Sequence, residues 1–204
     1  MTATIRPYQD RDLAALYEIC LRTGNQGGDA TDLYPGNPQL LGAVFAAPYA
    51  VLEPELAFVV DDGQRAAGYV LGTADTSRFV RRFREEWLPT QAARYPEPTG
   101  EITTPDERIR SFLHHVERID NPEFARYPAH LHIDLLPSHQ HGGFGRALIT
   151  RFLATLRERG VAGVHLAMGR ANRNAYAFYQ RMGFTEMRLE RFPDVVYFVQ
   201  STSD

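Results

Sequence analysis

Lysine is absent: every one of the 22 residues counted as lysine or arginine is an arginine. A Walker-type nucleotide loop requires a lysine followed by Ser or Thr after its last glycine, so that class is excluded. Cysteine occurs once, as Cys20, which rules out an intramolecular disulfide and a Cys-cluster zinc site and removes any call for an oxidising compartment. There is neither a signal peptide nor an apolar run of about 18 residues. A cytoplasmic location without membrane contact is therefore expected. The formal net charge of −3 provides no general basic footprint, and the arginines at 78, 81, 82 and 84 read as a solvated helix face, so nucleic acid is not an expected partner. No paired-carboxylate motif points to glycoside hydrolysis. Linkers rich in Gly and Ser, low-complexity runs and internal repeats are also missing. With 204 residues, 44% of them hydrophobic, one domain over 1–204 is expected, and the composition specifies no oligomeric state.

What is present alternates between strand and helix patterns. A strand is expected at Ala3–Arg6, then a helix from Asp10 to Arg22 with Leu13, Leu16, Tyr17, Cys20 and Leu21 on one face, stopped at Gly24. Residues 24–38 read as a loop and Leu40–Ala46 as a short helix. A hairpin follows, Leu56–Val60 and Ala66–Ala74, turned by Asp61-Asp62-Gly63-Gln64. Asp75-Thr76-Ser77 caps a helix bearing Phe79, Phe83 and Trp87. Residues Pro89–Pro105 read as irregular and Glu107–Arg118 as helical. Then come a strand at His130–Leu136, a glycine-rich turn, a helix at Phe144–Arg159, a strand at Val164–Met168, a helix capped by Asn172 and stopped at Gly183, and strands at Thr185–Glu190 and Val195–Gln200.

The most informative stretch is Leu131–Gly145, LHIDLLPSHQHGGFG. Its glycines let backbone approach a ligand closely, and the free N–H groups at the following helix start favour a diphosphate. A dinucleotide fingerprint needs G-x-G-x-x-G after the first strand of a βαβ unit, and that order is not met. Gln140, Gly143 and Gly145, with Pro137 closing the strand, instead give Q-x-x-G-x-G, which resembles the pyrophosphate loop of the GNAT acetyltransferase superfamily. Downstream, N-x-x-A-x-x-F-Y-x-x-x-G-F, built on Asn172, Ala175, Phe178, Tyr179, Gly183 and Phe184, resembles that family's second signature.

The resemblance implies an α/β fold: a GNAT-type mixed, mostly antiparallel central sheet flanked by helices, here with a helical insert between the third and fourth strands. The stretches YEICLRTG, GYVLGTADT and FVRRFREEWLPTQAARYPEPTG, and the pair Phe192-Pro193, are similar to the acetyltransferase-like domain at the C-terminus of O-GlcNAcase. The chain leaves no room for a glycoside hydrolase domain, so a free-standing acetyltransferase-like domain is expected. It keeps the glycine loop, which implies retained binding of acetyl-CoA.

The implied partners are acetyl-CoA and an amine acceptor, either a small molecule or a protein or peptide. The implied chemistry is direct attack of the amine on the thioester. Cofactor contacts then fall to Gln140, His141, Gly142, Gly143, Phe144, Gly145 and Arg146, with Asn172, Ala175 and Tyr179 along the second signature. The backbone N–H of Leu135 or Leu136 is the implied oxyanion donor. Tyr179 matches the family's general acid, and its bland alternative is a core tyrosine. For the general base the residues leave a choice, because His130, His132 and Asp134 alternate along one strand face. Asp134 is nearest the loop, with His132 second. The histidines follow no diagnostic ligand spacing, so no metal is expected. Acceptor recognition is expected from Gly24–Pro38, with Asp29, Asp32 and Tyr34, and from Trp87 and Tyr95. A non-catalytic acetyl-CoA sensor or interaction module stands as the alternative function.

Overall fold

The computed structural model describes residues 3–189 and 193–202. Glu190, expected to end a strand, and Phe192 lie outside the described residues. In chain order the elements are β1 (Thr4–Pro7), α1 (Leu13–Thr23), α2 (Leu40–Phe45), α3 (Ala47–Leu52), β2 (Ala57–Asp61), β3 (Ala66–Thr73), α4 (Thr76–Arg82), a π-helical turn over Phe83–Trp87, α5 (Leu88–Gln91), α6 (Pro105–His114), β4 (Ala129–Leu135), α7 (Phe144–Glu158), β5 (Gly163–Gly169), α8 (Arg173–Arg181), β6 (Thr185–Met187) and β7 (Val195–Ser201).

The strands form one seven-stranded sheet in the order β1-β2-β3-β4-β5-β7-β6. Every neighbouring pair is antiparallel except β4 and β5, which run parallel. Period-two alternation divides the core cleanly. Val59, Tyr69 and Leu71 face α1, α2, α3 and the insert. Phe58, Val60, Val70 and Leu131 face α7 and α8 through Leu148, Ile149, Phe152 and Tyr179.

Local chemistry sets the boundaries. Asp75 accepts the Arg78 N–H at 2.9 Å and starts α4. Thr104 and Glu107 form a reciprocal capping box that starts α6 at Pro105, ahead of the expected Glu107. Asn172 caps α8 by accepting the Ala175 N–H at 3.1 Å. The insert is anchored rather than loose: Phe79 and Phe83 are fully buried, and the Trp87 indole donates to the Ala43 carbonyl at 2.8 Å.

One departure from regular pairing shapes the site. β4 and β5 pair only at Ala129 with Val164 and His130 with His165, whereas β5 stays with β7 from Gly163 to Gly169. Beyond His130 the two central strands diverge, and a cleft opens in the middle of the sheet.

Candidate active site

The end of β4 enters the cleft. Leu136 donates its N–H to the Ala67 carbonyl at 2.9 Å, which makes Ala67 and Leu136 a hydrogen-bonded pair and, by alternation, turns the N–H and C=O of Leu135 away from β3. Of the two expected oxyanion donors, Leu136 is therefore already engaged. Leu135 N–H faces the gap between the strands.

The glycine turn follows at once. Residues Pro137–His139 form one 3₁₀ turn, and Gln140 gives its own N–H to the Pro137 carbonyl at 3.3 Å. Its side chain reaches back to the Leu135 carbonyl at 2.9 Å, so Gln140 braces the loop through both its backbone and its side chain. His141 (φ 62°) and Gly143 (φ 84°) both occupy the left-handed region. The first helical bond of α7 is Ala147 N–H to the Gly143 carbonyl. Among the described residues no acceptor takes the N–H groups of His141, Gly142, Gly143, Phe144, Gly145 or Arg146. Consecutive free amides at a helix start, with its positive dipole end, make a cradle for an anion. A Cβ on Gly143 would meet nothing within 4 Å, whereas one on Gly145 would meet the Phe178 ring at 3.2 Å. Gly143 thus serves the open cradle, and Gly145 serves the close approach of α7 to α8.

Asp134 projects from the α1 face of β4 and remains partly accessible. Its carboxyl accepts from the Tyr69 hydroxyl at 2.7 Å. Burial pushes its pKa up to about 6, against the opposing pull of the Tyr69 and Thr23 hydroxyls. His132, two residues back on the same face, is held down to about 4, first by burial and then by the charge of His165. His132 Nε2 lies 3.1 Å from the Tyr49 hydroxyl.

Tyr179 comes from the other side of the sheet. Its ring is 7% exposed and packs against Phe178, Phe184 and Phe198. The hydroxyl has no partner among the described residues, yet its oxygen is not sealed from solvent. Burial raises its pKa, and the charge of Asp134 adds to the rise.

Asn172 spends its side-chain oxygen on the cap of α8, while its Nδ2 lies near Gly27. Gly27 (φ 91°) and Gln26 belong to the turn after α1, closed by mutual hydrogen bonds of Asn25 and Gly28, and Gln26 also approaches Gly169. This turn bridges to the end of β5 and the start of α8 and borders the cleft. Of the acceptor candidates, Asp29 pairs with Arg22 at the exposed surface, and Trp87 and Tyr95 are buried in the core. Their expected contact with an acceptor is corrected: both rings hold the insert in place. Tyr69 and Tyr49, which fix Asp134 and His132, were not among the expected residues. Among the described residues no cluster of His, Cys, Asp and Glu is arranged to hold a metal ion, and no helix is long and apolar enough to cross a membrane.

Comparison with known proteins agrees with this architecture. A protein crystallised as SsHAT is 52% identical, with both chains covered in full and a TM-score of 0.95. Protein O-GlcNAcase of Rattus norvegicus is 26% identical over 197 residues, which is 95% of this chain and 21% of that protein. The chain therefore spans about a fifth of the length of such curated relatives. An N-acetyltransferase, PaiA of Thermoplasma acidophilum, crystallised with coenzyme A, shares the fold at 13% identity, with a TM-score of 0.59 and 98% of this chain and 99% of that one covered. Residues 29–184 match the Acetyltransferase (GNAT) family. The chain belongs to the acetyltransferase (GNAT) family.

Proposed function

We propose that this protein is an acetyl-CoA-dependent N-acetyltransferase that passes an acetyl group to a primary amine by direct attack. The observation that carries this reading is the run of unengaged amides from His141 to Arg146 beside the gap between β4 and β5 that the Leu135 N–H faces. Acetyl-CoA supplies an activated thioester at the end of a long diphosphate-bearing arm. The amides of residues 141–146 hold the diphosphate, and the exposed Arg146 adds a cation beside it. Leu135 N–H donates to the carbonyl oxygen as negative charge develops there. Asp134, ionised above pH about 6, accepts the proton lost by the attacking amine. Tyr179 keeps its proton throughout the working range and donates a hydrogen bond to the departing sulfur. Complete transfer is uphill to a thiolate whose conjugate acid lies near about 8.5, so Tyr179 stabilises more than it protonates.

Calorimetric titration with acetyl-CoA tests the cradle. The wild type is expected to bind near the micromolar scale, about −8 kcal/mol. Gly143→Val places a β-branched residue where φ is 84° and is expected to lose at least about tenfold in affinity, roughly 1.4 kcal/mol. No binding by the folded wild type would overturn the reading. Tight binding without amine-dependent release of thiol would assign the chain to the alternative, a non-catalytic acetyl-CoA sensor.

A further inference from the structure

A second polar system runs along the α1 face of β4, away from the diphosphate cradle, and its direction can be worked out atom by atom. Thr76 Oγ1 lies 2.8 Å from the Pro128 carbonyl and 2.8 Å from His130 Nδ1. A carbonyl can only accept, so the single hydroxyl proton of Thr76 points at Pro128. Thr76 must then accept from His130, which places the His130 proton on Nδ1. His130 is buried, 5% exposed, and burial lowers its pKa well below the ordinary value, with the nearby His165 and His132 rings, which would repel a second positive charge, adding to the effect. The ring is neutral, and its Nε2 is a bare acceptor. Tyr49 Oη, 2.8 Å from that nitrogen, donates to it. The Tyr49 oxygen is left with lone pairs only, and the 3.1 Å contact to His132 Nε2 requires His132 to donate. The proton of neutral His132 therefore sits on Nε2.

We infer that Tyr49 is a positioning residue that holds His132 as the Nε2–H tautomer, leaving Nδ1 as the free lone pair that orients the N–H of the incoming amine beside Asp134. The inference rests on the acetyl-transfer reading for the amine but not for the tautomer. Nothing is consumed in this step: the amine donates a hydrogen bond to Nδ1, and its proton leaves to Asp134. Tyr49 suits the task because its ring is stacked on Phe79 with centroids 4.3 Å apart, and burial, with a further contribution from Glu53, keeps its phenol protonated. The polarity is set at Pro128, in the segment that leads into β4, and transmitted inward without any charged group.

The experiment is long-range ¹H–¹⁵N correlation NMR of the histidine rings in the ligand-free protein. Wild type is expected to show His130 as Nδ1–H and His132 as Nε2–H. Thr76→Val keeps the side-chain shape but removes the acceptor for His130. His130 should then move its proton to Nε2, Tyr49 should turn toward His132, and His132 should switch to Nδ1–H without having been touched. Tyr49→Phe keeps the ring and should leave His132 with mixed tautomers, with kcat lowered about tenfold and KM for acetyl-CoA unchanged. A wild-type His132 protonated on Nδ1, or a His132 tautomer indifferent to Thr76→Val, overturns the inference whatever the activity. Unchanged kcat in Tyr49→Phe removes the positioning role. Loss of acetyl-CoA binding in the wild type would instead strike the acetyl-transfer reading and leave the tautomer result standing.

Discussion

At the residue scale the site turns on one carboxyl kept in a poor place for a charge. The pKa of Asp134, about 6 in the folded protein, lies above the ordinary aspartate value of about 3.9. Its stabilising contribution is thus full below the unfolded value and disappears as pH rises through about 6. In the proposed mechanism activity runs the opposite way, since only the carboxylate would accept a proton. The rate kcat/KM is expected to rise with pH through an acid limb near 6 that Asp134→Asn abolishes, together with about 10²-fold or more of rate. The same variant should melt higher than wild type at pH 8, because it removes a charge whose burial is unfavourable; a lower melting temperature would show that the Tyr69 bond outweighs desolvation. Tyr179→Phe should keep acetyl-CoA affinity while lowering kcat, and an unchanged kcat would return Tyr179 to the role of a core ring.

At the element scale, close approach decides tolerance. A Cβ on Gly72 in β3 would sit 2.3 Å from the His130 carbonyl and 2.5 Å from the Phe152 ring. Gly72→Ala must therefore spread β3 from β4 or push α7 outward, and chemical denaturation should record a loss of about 1–3 kcal/mol. Most of these elements were legible in the sequence because they follow simple periodicities. The His130, His132 and Asp134 face needed only the two-residue repeat, and α7 and α8 announced themselves by apolar spacing and caps. The separate helix α3 was missed because Leu40–Leu52 is apolar throughout, so periodicity could not divide it at Ala46. The start of α6 was misplaced although Thr104-Pro105-Asp106-Glu107 spells a capping box. The hydroxyls of Tyr49 and Tyr69 were invisible for another reason: they reach their partners across 83 and 65 residues of chain, and only register and packing bring them there. Likewise, no motif distinguishes Leu135 from Leu136, whose N–H groups point in opposite directions because antiparallel pairing alternates.

At the scale of the whole molecule, the edge of the sheet is tied to the first helix by Arg6, which donates to Asp12 at 2.6 and 2.8 Å and to Asp61 at 2.6 Å. Burial alone would raise the Asp12 pKa, but the Arg6 guanidinium and the Gln9 N–H overcome it and hold the carboxyl below its usual value. The stability this contributes is complete above the unfolded aspartate value and is lost as pH falls through the folded one. Arg6→Leu is expected to cost about 2–4 kcal/mol, less than a fully sealed pair because Arg6 keeps some contact with water. Urea titrations at pH 7 and pH 3 should show most of that difference vanishing in acid. The diverging β4 and β5 have a different consequence for the molecule as a whole. Unpaired strand edges normally invite other polypeptides to add on, and proteins cover, charge or shorten them to prevent aggregation. Here the open edges lie in the centre of a seven-stranded sheet, between helical layers that a folded chain cannot penetrate. On the proposed function, the molecule that threads between them and completes the ladder must be slender and flexible and bear its own amide groups, so the fold would select its visitor by thickness before any side chain reads its chemistry.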